Sequence, residues 1–230
     1  MEKKIMKSIP SVGIRVLAAA PVALAATWCL ASPAGAVPQG TTTITWQCQG
    51  TVFGVDQTST LTAQVAGDAP TSAAGGSAVT IKLTPLATAV PASSNGFNVN
   101  NIHDLQVITP YPAGATFVSA TASGGSVAAT IDTSGGKIAL NVAGPIAGGA
   151  SFTLPAETIN VTAGASGSIT STYAGTSYAD AGMTLTSNVD TVLGPLDVPI
   201  SCYPDPKPTF TTTTIGGAAA PGVAQPPKTN

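Results

Sequence analysis

The chain has 230 residues, of which only 8% are charged, and its formal net charge is −2. From residue 37 onward four lysines stand against nine carboxylates, a net charge of −5, and there is no arginine. Phosphate groups are bound by clustered cations, so this composition argues against a nucleic-acid partner and against binding to anionic membranes.

Residues 1–36 have the pattern of a secretory signal peptide. Four basic residues precede the apolar run VLAAAPVALAATWCLA, and the small-residue site AGA follows at 34–36. We predict cleavage after Ala36 and a secreted or cell-envelope location. A retained anchor is the alternative, but Pro21 interrupts the run and the run is short for a membrane span. Cys29 follows Thr27 and Trp28 rather than small residues, so no lipid anchor is predicted.

The chain after residue 37 alternates apolar and polar residues with a period of two. In TTITWQCQ, the residues Ile44, Trp46 and Cys48 share one face of a predicted strand, and threonine and glutamine occupy the other. The same alternation recurs around residues 61–65, 79–83, 138–142, 183–185 and 198–202. Helical periodicity is absent after the leader, so the half-buried strand is the predicted building unit.

Turn signals rich in glycine and proline separate these runs at short spacing. The clearest hairpin is VAATI-DTSGG-KIALNV, two alternating runs joined by a glycine-containing loop. About nine to eleven short strands of this kind are typical of a two-sheet antiparallel β-sandwich with an immunoglobulin-like layout. We predict that residues 37–206 form this single domain, which is long enough for one sizeable core.

Cys48 and Cys202 are the only cysteines left after the leader, and each lies on the apolar face of a predicted strand. Because an exported chain reaches an oxidising compartment, we predict a disulfide that joins the first and last strands of the domain. Two buried free thiols are the alternative. Trp46 points to the same side as Cys48, so we predict that it packs beside the disulfide in the core.

The chain changes character at residue 207. The segment KPTFTTTTIGGAAAPGVAQPPKTN is rich in threonine, proline, glycine and alanine and has few large apolar residues. It cannot bury enough surface to offset its ordering entropy, so residues 207–230 are predicted to be a flexible tail. FTTTTI within this tail can add an edge strand.

Two residues are of types found in catalytic sites, His103 and Glu157, but neither has the partners that catalysis needs. His103 is the only histidine and precedes Asp104, but no serine stands in a GxSxG-type elbow to complete a triad. Glu157 is the one glutamate after residue 37, and no partner carboxylate is marked by its context. We interpret His103 as a surface residue and Glu157 as a solvated carboxylate at a strand edge, and predict no catalytic residue.

The sequence predicts no metal site and no cofactor. One histidine and two oxidised cysteines cannot build a zinc site. Asp132, Asp180 and Asp190 leave loop-bound calcium as an alternative, but no DxDxDG spacing is present, so a role in turn formation is favoured.

The order of several short motifs resembles a family of secreted actinobacterial proteins. These are PAGAT, GGS, GPIAGG followed by LP, GTSYADAG, and a late cysteine with a proline-rich exit. The resemblance covers most of the chain after the predicted leader and implies an exported protein with an immunoglobulin-like β-sandwich. Members are sometimes labelled cyclase or dehydratase without an established activity, so no catalytic residue is implied.

These observations predict a secreted or envelope-associated binding or structural module without catalytic activity. Its partner is expected to be cell-wall polymer, carbohydrate or another protein, contacted through loops or a sheet edge, and integral membrane association is not expected. A secreted hydrolase without a recognisable motif is the alternative from another class. A pore-forming envelope β protein is a further alternative.

Overall fold

A computed structural model describes residues 35–216 of the chain. The predicted signal peptide, apart from its last two residues, and the tail beyond residue 216 lie outside the described residues. Within the described part, no helix is long and apolar enough to cross a membrane.

The described chain is all-β, as the alternation predicted, with one short 3₁₀ turn at Ser134–Gly136. Three strands of 14 to 16 residues carry much of the sheet, where only short strands were expected. The seventeen strands are β1 (Val37–Val52), β2 (Val55–Ala69), β3 (Ser72–Ala74), β4 (Ala78–Pro85), β5 (Thr88–Ala89), β6 (Ser93–Ser94), β7 (Phe97–Pro110), β8 (Ala115–Ser123), β9 (Thr130–Asp132), β10 (Lys137–Val142), β11 (Ile146–Ala147), β12 (Ser151–Phe152), β13 (Ala156–Ala163), β14 (Gly167–Ser171), β15 (Met183–Thr191), β16 (Gly194–Pro204) and β17 (Thr211–Gly216).

Most strands belong to one large antiparallel sheet. Its main path runs β8-β13-β4-β2-β1-β16-β15-β7-β10-β9, and β6 and β11 also pair with β7. The predicted hairpin around residues 130–142 is confirmed as the β9–β10 pair. Hydrogen bonding therefore joins twelve strands in a single sheet, whereas the sequence predicted two separate sheets.

The large sheet curls until its two halves face each other. The Thr109 hydroxyl on β7 donates a hydrogen bond to Glu157 Oε2 on β13 at 2.9 Å, although five strands lie between β7 and β13 in the sheet. The end strands β8 and β9 also contact each other. The alternating apolar residues of opposite halves therefore meet in one core, which holds Ile44, Ile81 and Ile138.

The predicted disulfide is confirmed. Cys48 on β1 lies directly opposite Cys202 on the neighbouring strand β16, and their Cα atoms are 4.1 Å apart. Both residues are buried. The bond therefore ties the first strand to the penultimate one in the middle of the sheet path.

Trp46 lies in the core, two residues before Cys48. Its ring stacks on Tyr173 with 5.6 Å between centroids, and Tyr173 meets Phe210 edge to face at 4.8 Å. Tyr173 and Phe210 are both buried. An aromatic stack thus links the first strand to the segment that enters β17.

Part of the predicted flexible tail is a strand of the fold. FTTTTI enters β17, which lies between β14 and β3 in a three-stranded sheet and is therefore a central strand rather than an edge. Its alternate residues Thr211, Thr213 and Ile215 are buried. A side chain at Gly67 on β2 would approach the Phe210 carbonyl oxygen to 2.6 Å, so this glycine lets the segment cross β2 closely. The composition predicted that the domain ends at residue 206, because composition alone does not show that neighbouring strands bury a segment.

Loss of the disulfide is expected to destabilise the domain strongly. The bond spans 154 positions, and in the chain-entropy model a loop of this length contributes up to about 5 kcal/mol. Urea unfolding of a C48A/C202A variant should therefore give an unfolding free energy lower by about 3 to 5 kcal/mol. Reductant should shift the wild type in the same way and leave the variant unchanged. Equal stability of variant and wild type would contradict this expectation.

Candidate binding cleft

An apolar cleft of about 330 Å³ opens between the large sheet and the connecting segment that follows β4. Its walls are the inner faces of β1, β2, β7, β15 and β16 on one side and residues 85–94 on the other. Clefts of this size fall at the lower end of the range for small-molecule sites, about 300 to 1,000 Å³.

The cleft is lined by side chains of the core, several of which, Trp46 and Tyr173 among them, are almost fully buried. Trp46, Tyr173 and Met183 contribute large apolar surfaces, and Cys48 places the disulfide beside them. Leu61 on the inner face of β2 is only partly buried, because the cleft lies over it. None of the residues that line the cleft is charged.

Backbone hydrogen bonds hold the segment 85–94 in place over the cleft. The Leu86 amide donates to the Gln64 carbonyl at 2.9 Å, which fixes the start of the segment to β2. Farther along, β5 pairs with β12, and the Val90 amide donates to the Ala150 carbonyl at 3.0 Å. Pro85 and Pro91 restrict the backbone near both ends. This tethering keeps the segment from collapsing onto the sheet.

A smaller cavity of about 50 Å³ continues the cleft toward one end of the sheet. The two spaces share four lining residues, among them Ser59, Ser94 and Ser187. The smaller space extends to Val52 and Val198. A partly apolar path therefore leads from Trp46 to the turn that joins β1 and β2.

Glu157 is buried, 1% exposed, whereas the sequence interpretation placed it in solvent. It lies in phase with the inward residues Ile159 and Val161 of β13, so its side chain enters the core. Its Oε2 accepts the Thr109 hydrogen bond, and its Oε1 has no partner among the described residues. The charge of the residue suggested exposure, but the phase of the strand decided its position.

The environment of Glu157 favours the protonated acid. Burial raises the pKa of its carboxyl to about 7, and the Thr109 hydroxyl opposes this only in part. Burial, and then the charge of Glu157, raise the pKa of the Tyr173 phenol well above its ordinary value. Tyr173 lines the cleft, and Glu157 does not.

His103 does not form a catalytic triad. Its Nδ1 lies 2.8 Å from Asp104 Oδ2, and its Nε2 lies 3.6 Å from Asp197 Oδ1. The hydrogen bond to Asp104 is the main cause that raises the pKa of His103, with a smaller contribution from Asp197. A triad histidine needs a hydroxyl opposite its carboxylate, and here a carboxylate faces each ring nitrogen. The pair of carboxylates stabilises the imidazolium instead of preparing a base.

The sequence leaves three aspartates as possible calcium ligands. Each of them accepts a hydrogen bond from another side chain or from the backbone. Asp132 accepts from the Ser134 amide at 2.8 Å, Asp180 from the Thr176 hydroxyl at 2.7 Å, and Asp190 from the Asn100 amide at 2.8 Å. Within residues 35–216 no three acidic, histidine or cysteine side chains gather in a metal-binding group.

The sequence interpretation did not find the cleft. Tyr173, Met183 and the segment 85–94 come from distant parts of the chain, and nothing in their local pattern shows that they meet. The one local signal is PLATAVP, a proline-flanked apolar run too irregular for a strand of the main sheet.

No protein-family model matches the chain, and no curated protein matches it. Among solved structures, the fold is similar to a Corynebacterium diphtheriae protein whose name describes it as membrane anchored. The sequence identity is 15% and the TM-score is 0.47. The match covers 78% of this chain and 38% of that protein, so this chain spans well under half of its length.

The buried carboxyl predicts an unusual dependence of stability on pH. Between pH 4.5, the ordinary pKa, and about pH 7, the folded protein keeps a proton on Glu157 that the unfolded chain has released. The unfolding free energy should therefore fall as the pH rises through this window, by about 3 kcal/mol in total at roughly 1.4 kcal/mol per pH unit.

In an E157Q variant the decline below about pH 6 should vanish, because glutamine does not titrate and His103, whose pKa is also raised, contributes a decline only at higher pH. Urea unfolding at several pH values between 4 and 8 measures it, and a D56N variant, which removes an exposed carboxylate, should retain the wild-type slope. If E157Q and wild type show the same slope, Glu157 is not the group responsible.

Proposed function

We propose that this protein is a non-catalytic, secreted or envelope-associated binding module whose cleft holds the apolar part of a small amphipathic ligand. The observation that carries the proposal is the open apolar cleft beside Trp46. Apolar surface left in contact with water is unfavourable, and a ligand chain that displaces this water recovers part of the free energy.

The lining defines the chemical class of the ligand. Because no charged side chain lines the cleft, the enclosed part of the ligand is uncharged and aliphatic or aromatic. Hydroxyl and amide groups of Ser59, Gln64 and Ser94 supply hydrogen bonds near the apolar surface. A polar head group, such as that of a glycolipid or a wall-linked acyl chain, then remains in solvent and is free to contact cell-wall polymer, carbohydrate or another protein.

A binding role agrees better with the arrangement of polar groups than the hydrolase alternative does. His103 is held between two carboxylates, and Glu157 is protonated through much of the acidic and neutral range. Neither residue lines the cleft. No observation on the described residues favours the pore-forming alternative.

The proposal includes export and a two-layer arrangement. The Cys48–Cys202 bond is compatible with an extracellular or envelope location. The opposed halves of the curled sheet, bridged by the Thr109–Glu157 hydrogen bond, support an immunoglobulin-like two-layer layout within a single sheet.

Quenching of Trp46 fluorescence by a bromine-labelled fatty acid of medium chain length tests the proposal. In a W28F background Trp46 is the only tryptophan of the chain, so quenching reports a bromine atom close to the cleft. We expect saturable quenching. An A63L substitution on the inner face of β2 should weaken binding about tenfold, since excluding two methylene groups costs roughly 1.6 kcal/mol.

The matched control is A78L, which adds the same side chain at an exposed position of β4 outside the cleft. It should bind like the parent protein. Absence of saturable quenching, or equal affinity of the A63L and A78L variants, would refute the cleft as the binding site. If a soluble wall oligosaccharide binds and the bromine-labelled fatty acid does not quench Trp46, the binding site is a polar surface and not the cleft.

A further inference from the structure

Three hairpin turns meet at one end of the large sheet. They join β1 to β2 at residues 52–55, β6 to β7 at residues 94–97, and β15 to β16 at residues 191–194. Because β1 pairs with β16 and β15 pairs with β7, all antiparallel, the three turns lie on the same side. We call these three turns the apex.

Two of the three apical turns expose large apolar side chains. Phe53 and Val55 are 58% and 59% exposed, and Val192 and Leu193 are 97% and 82% exposed. Four of the seven large apolar residues that are exposed in the described chain therefore lie on two adjacent turns. Isolated exposed apolar residues need no explanation, but a cluster on neighbouring protrusions indicates a contact surface.

The turn at Phe53 has side-chain chemistry that the fold does not require. Phe53 and Gly54 have φ values of 51° and 79°, and Asn95 and Gly96 in the neighbouring apical turn have 50° and 83°. Asn-Gly is the favoured pair for such turns, because asparagine tolerates positive φ and a bulky side chain does not. Phe53 thus adopts an unfavourable backbone conformation, and its exposed ring receives little packing in return. Strain of this kind at an exposed aromatic residue points to an external partner.

The charges near the apex are negative. Asp56, Asp190 and Asp197 lie close to the turns, and their carboxylates accept hydrogen bonds from Thr51, Asn100 and Asn188. The lysines of the described chain lie toward the opposite end of the sheet: Lys82 opposite Asp68, Lys137 opposite Pro110, and Lys207 beyond β16. The apex is therefore apolar at its tips with acidic flanks, which suits an uncharged surface and not an anionic one.

The apex also adjoins the path into the cleft. The small cavity that continues the cleft is lined by Val52, Asn95 and Phe97, which belong to two of the three apical turns. The small cavity shares Ser59, Ser94, Ser187 and Ile200 with the cleft, so the two spaces are neighbours.

We propose that the apex docks on an uncharged lipid surface by inserting Phe53, Val55, Val192 and Leu193, so that the cleft receives its ligand from that surface. The inference rests on the proposed function for the ligand route only, since the exposed tips are observed independently of the cleft.

The shape of the apex favours lipid over a protein partner. From the register, the β15–β16 turn projects about four residues beyond the β1–β2 turn, roughly 13 Å at the rise of a strand. A stable protein interface needs a matching patch of about 800 Å² on each partner. Two staggered tips with four aliphatic or aromatic side chains offer no such patch, whereas a lipid interface adapts to protrusions.

Partition of the exported protein onto phosphatidylcholine vesicles tests the inference. We expect a F53N/V192S/L193S variant to partition at least about tenfold less than wild type, because each lost side chain removes apolar area from the lipid. F53N installs the favoured Asn-Gly turn and the serines replace exposed residues, so folding should be preserved. The matched control is V118S, which removes an apolar side chain that is 61% exposed on β8 and should leave partition unchanged.

A local readout excludes effects from other parts of the chain. In a W28F/W46F background, which removes both tryptophans of the chain, the fluorescence of a F53W variant should shift to shorter wavelength and be quenched by brominated phosphatidylcholine, and that of a V118W variant should not. Replacing half of the phosphatidylcholine by phosphatidylglycerol should weaken binding at low salt. Equal partition of the apex variant and V118S, no shift for F53W, a requirement for the anionic lipid, or dimerisation through the tips in sedimentation velocity would overturn the inference.

The two proposals fail separately. The apex variant should still show quenching of Trp46 by the bromine-labelled fatty acid in solution, and the A63L variant should still bind vesicles. Loss of vesicle binding alone removes the docking inference, and loss of Trp46 quenching alone removes the cleft.

Discussion

The architecture depends on one antiparallel sheet that closes over its own apolar face. Neighbouring strands are joined by backbone hydrogen bonds, and the curl brings β13 and β7 into contact although five strands separate them. The disulfide between Cys48 and Cys202 lies near the centre of this path. It holds β1 and β16 in register, and both strands supply walls of the cleft and lead to apical turns.

The closed sheet is not filled uniformly, and its irregularities lie close together. Glu157 occupies an inward position without full hydrogen bonding, and its charge contributes to the raised pKa of the Tyr173 phenol. Tyr173 stacks on Trp46, and both line the cleft. A fold selected for stability alone would place an apolar residue at 157 and close the cleft. The described structure retains both features in the same region of the core.

The residue types in two turns of the same backbone conformation distinguish a residue that suits the turn from one that does not. Asn95–Gly96 satisfies the backbone of its hairpin with the residues that such a turn favours. Phe53–Gly54 adopts the same conformation with a residue that is poorly suited to it. This contrast within one protein is physical evidence that Phe53 is present for its side chain rather than for its backbone.

The sequence by itself determined the all-β class, the inward face of β1 and the disulfide pairing, because a period of two and a count of two cysteines after residue 36 need no knowledge of which strands are neighbours. The alternation with Ile159 also predicts that the Glu157 side chain points inward, but the charge of a glutamate suggested exposure to solvent. Only the tertiary structure decided that twelve strands form one curled sheet, that FTTTTI is a central strand, and that an apolar cleft opens beside Trp46. These features depend on which distant segments pack together: β17 lies between β14 and β3, and the cleft lies between the sheet and residues 85–94, which hydrogen bonds anchor to Gln64 and Ala150. No local pattern of residues shows which distant segments pack together.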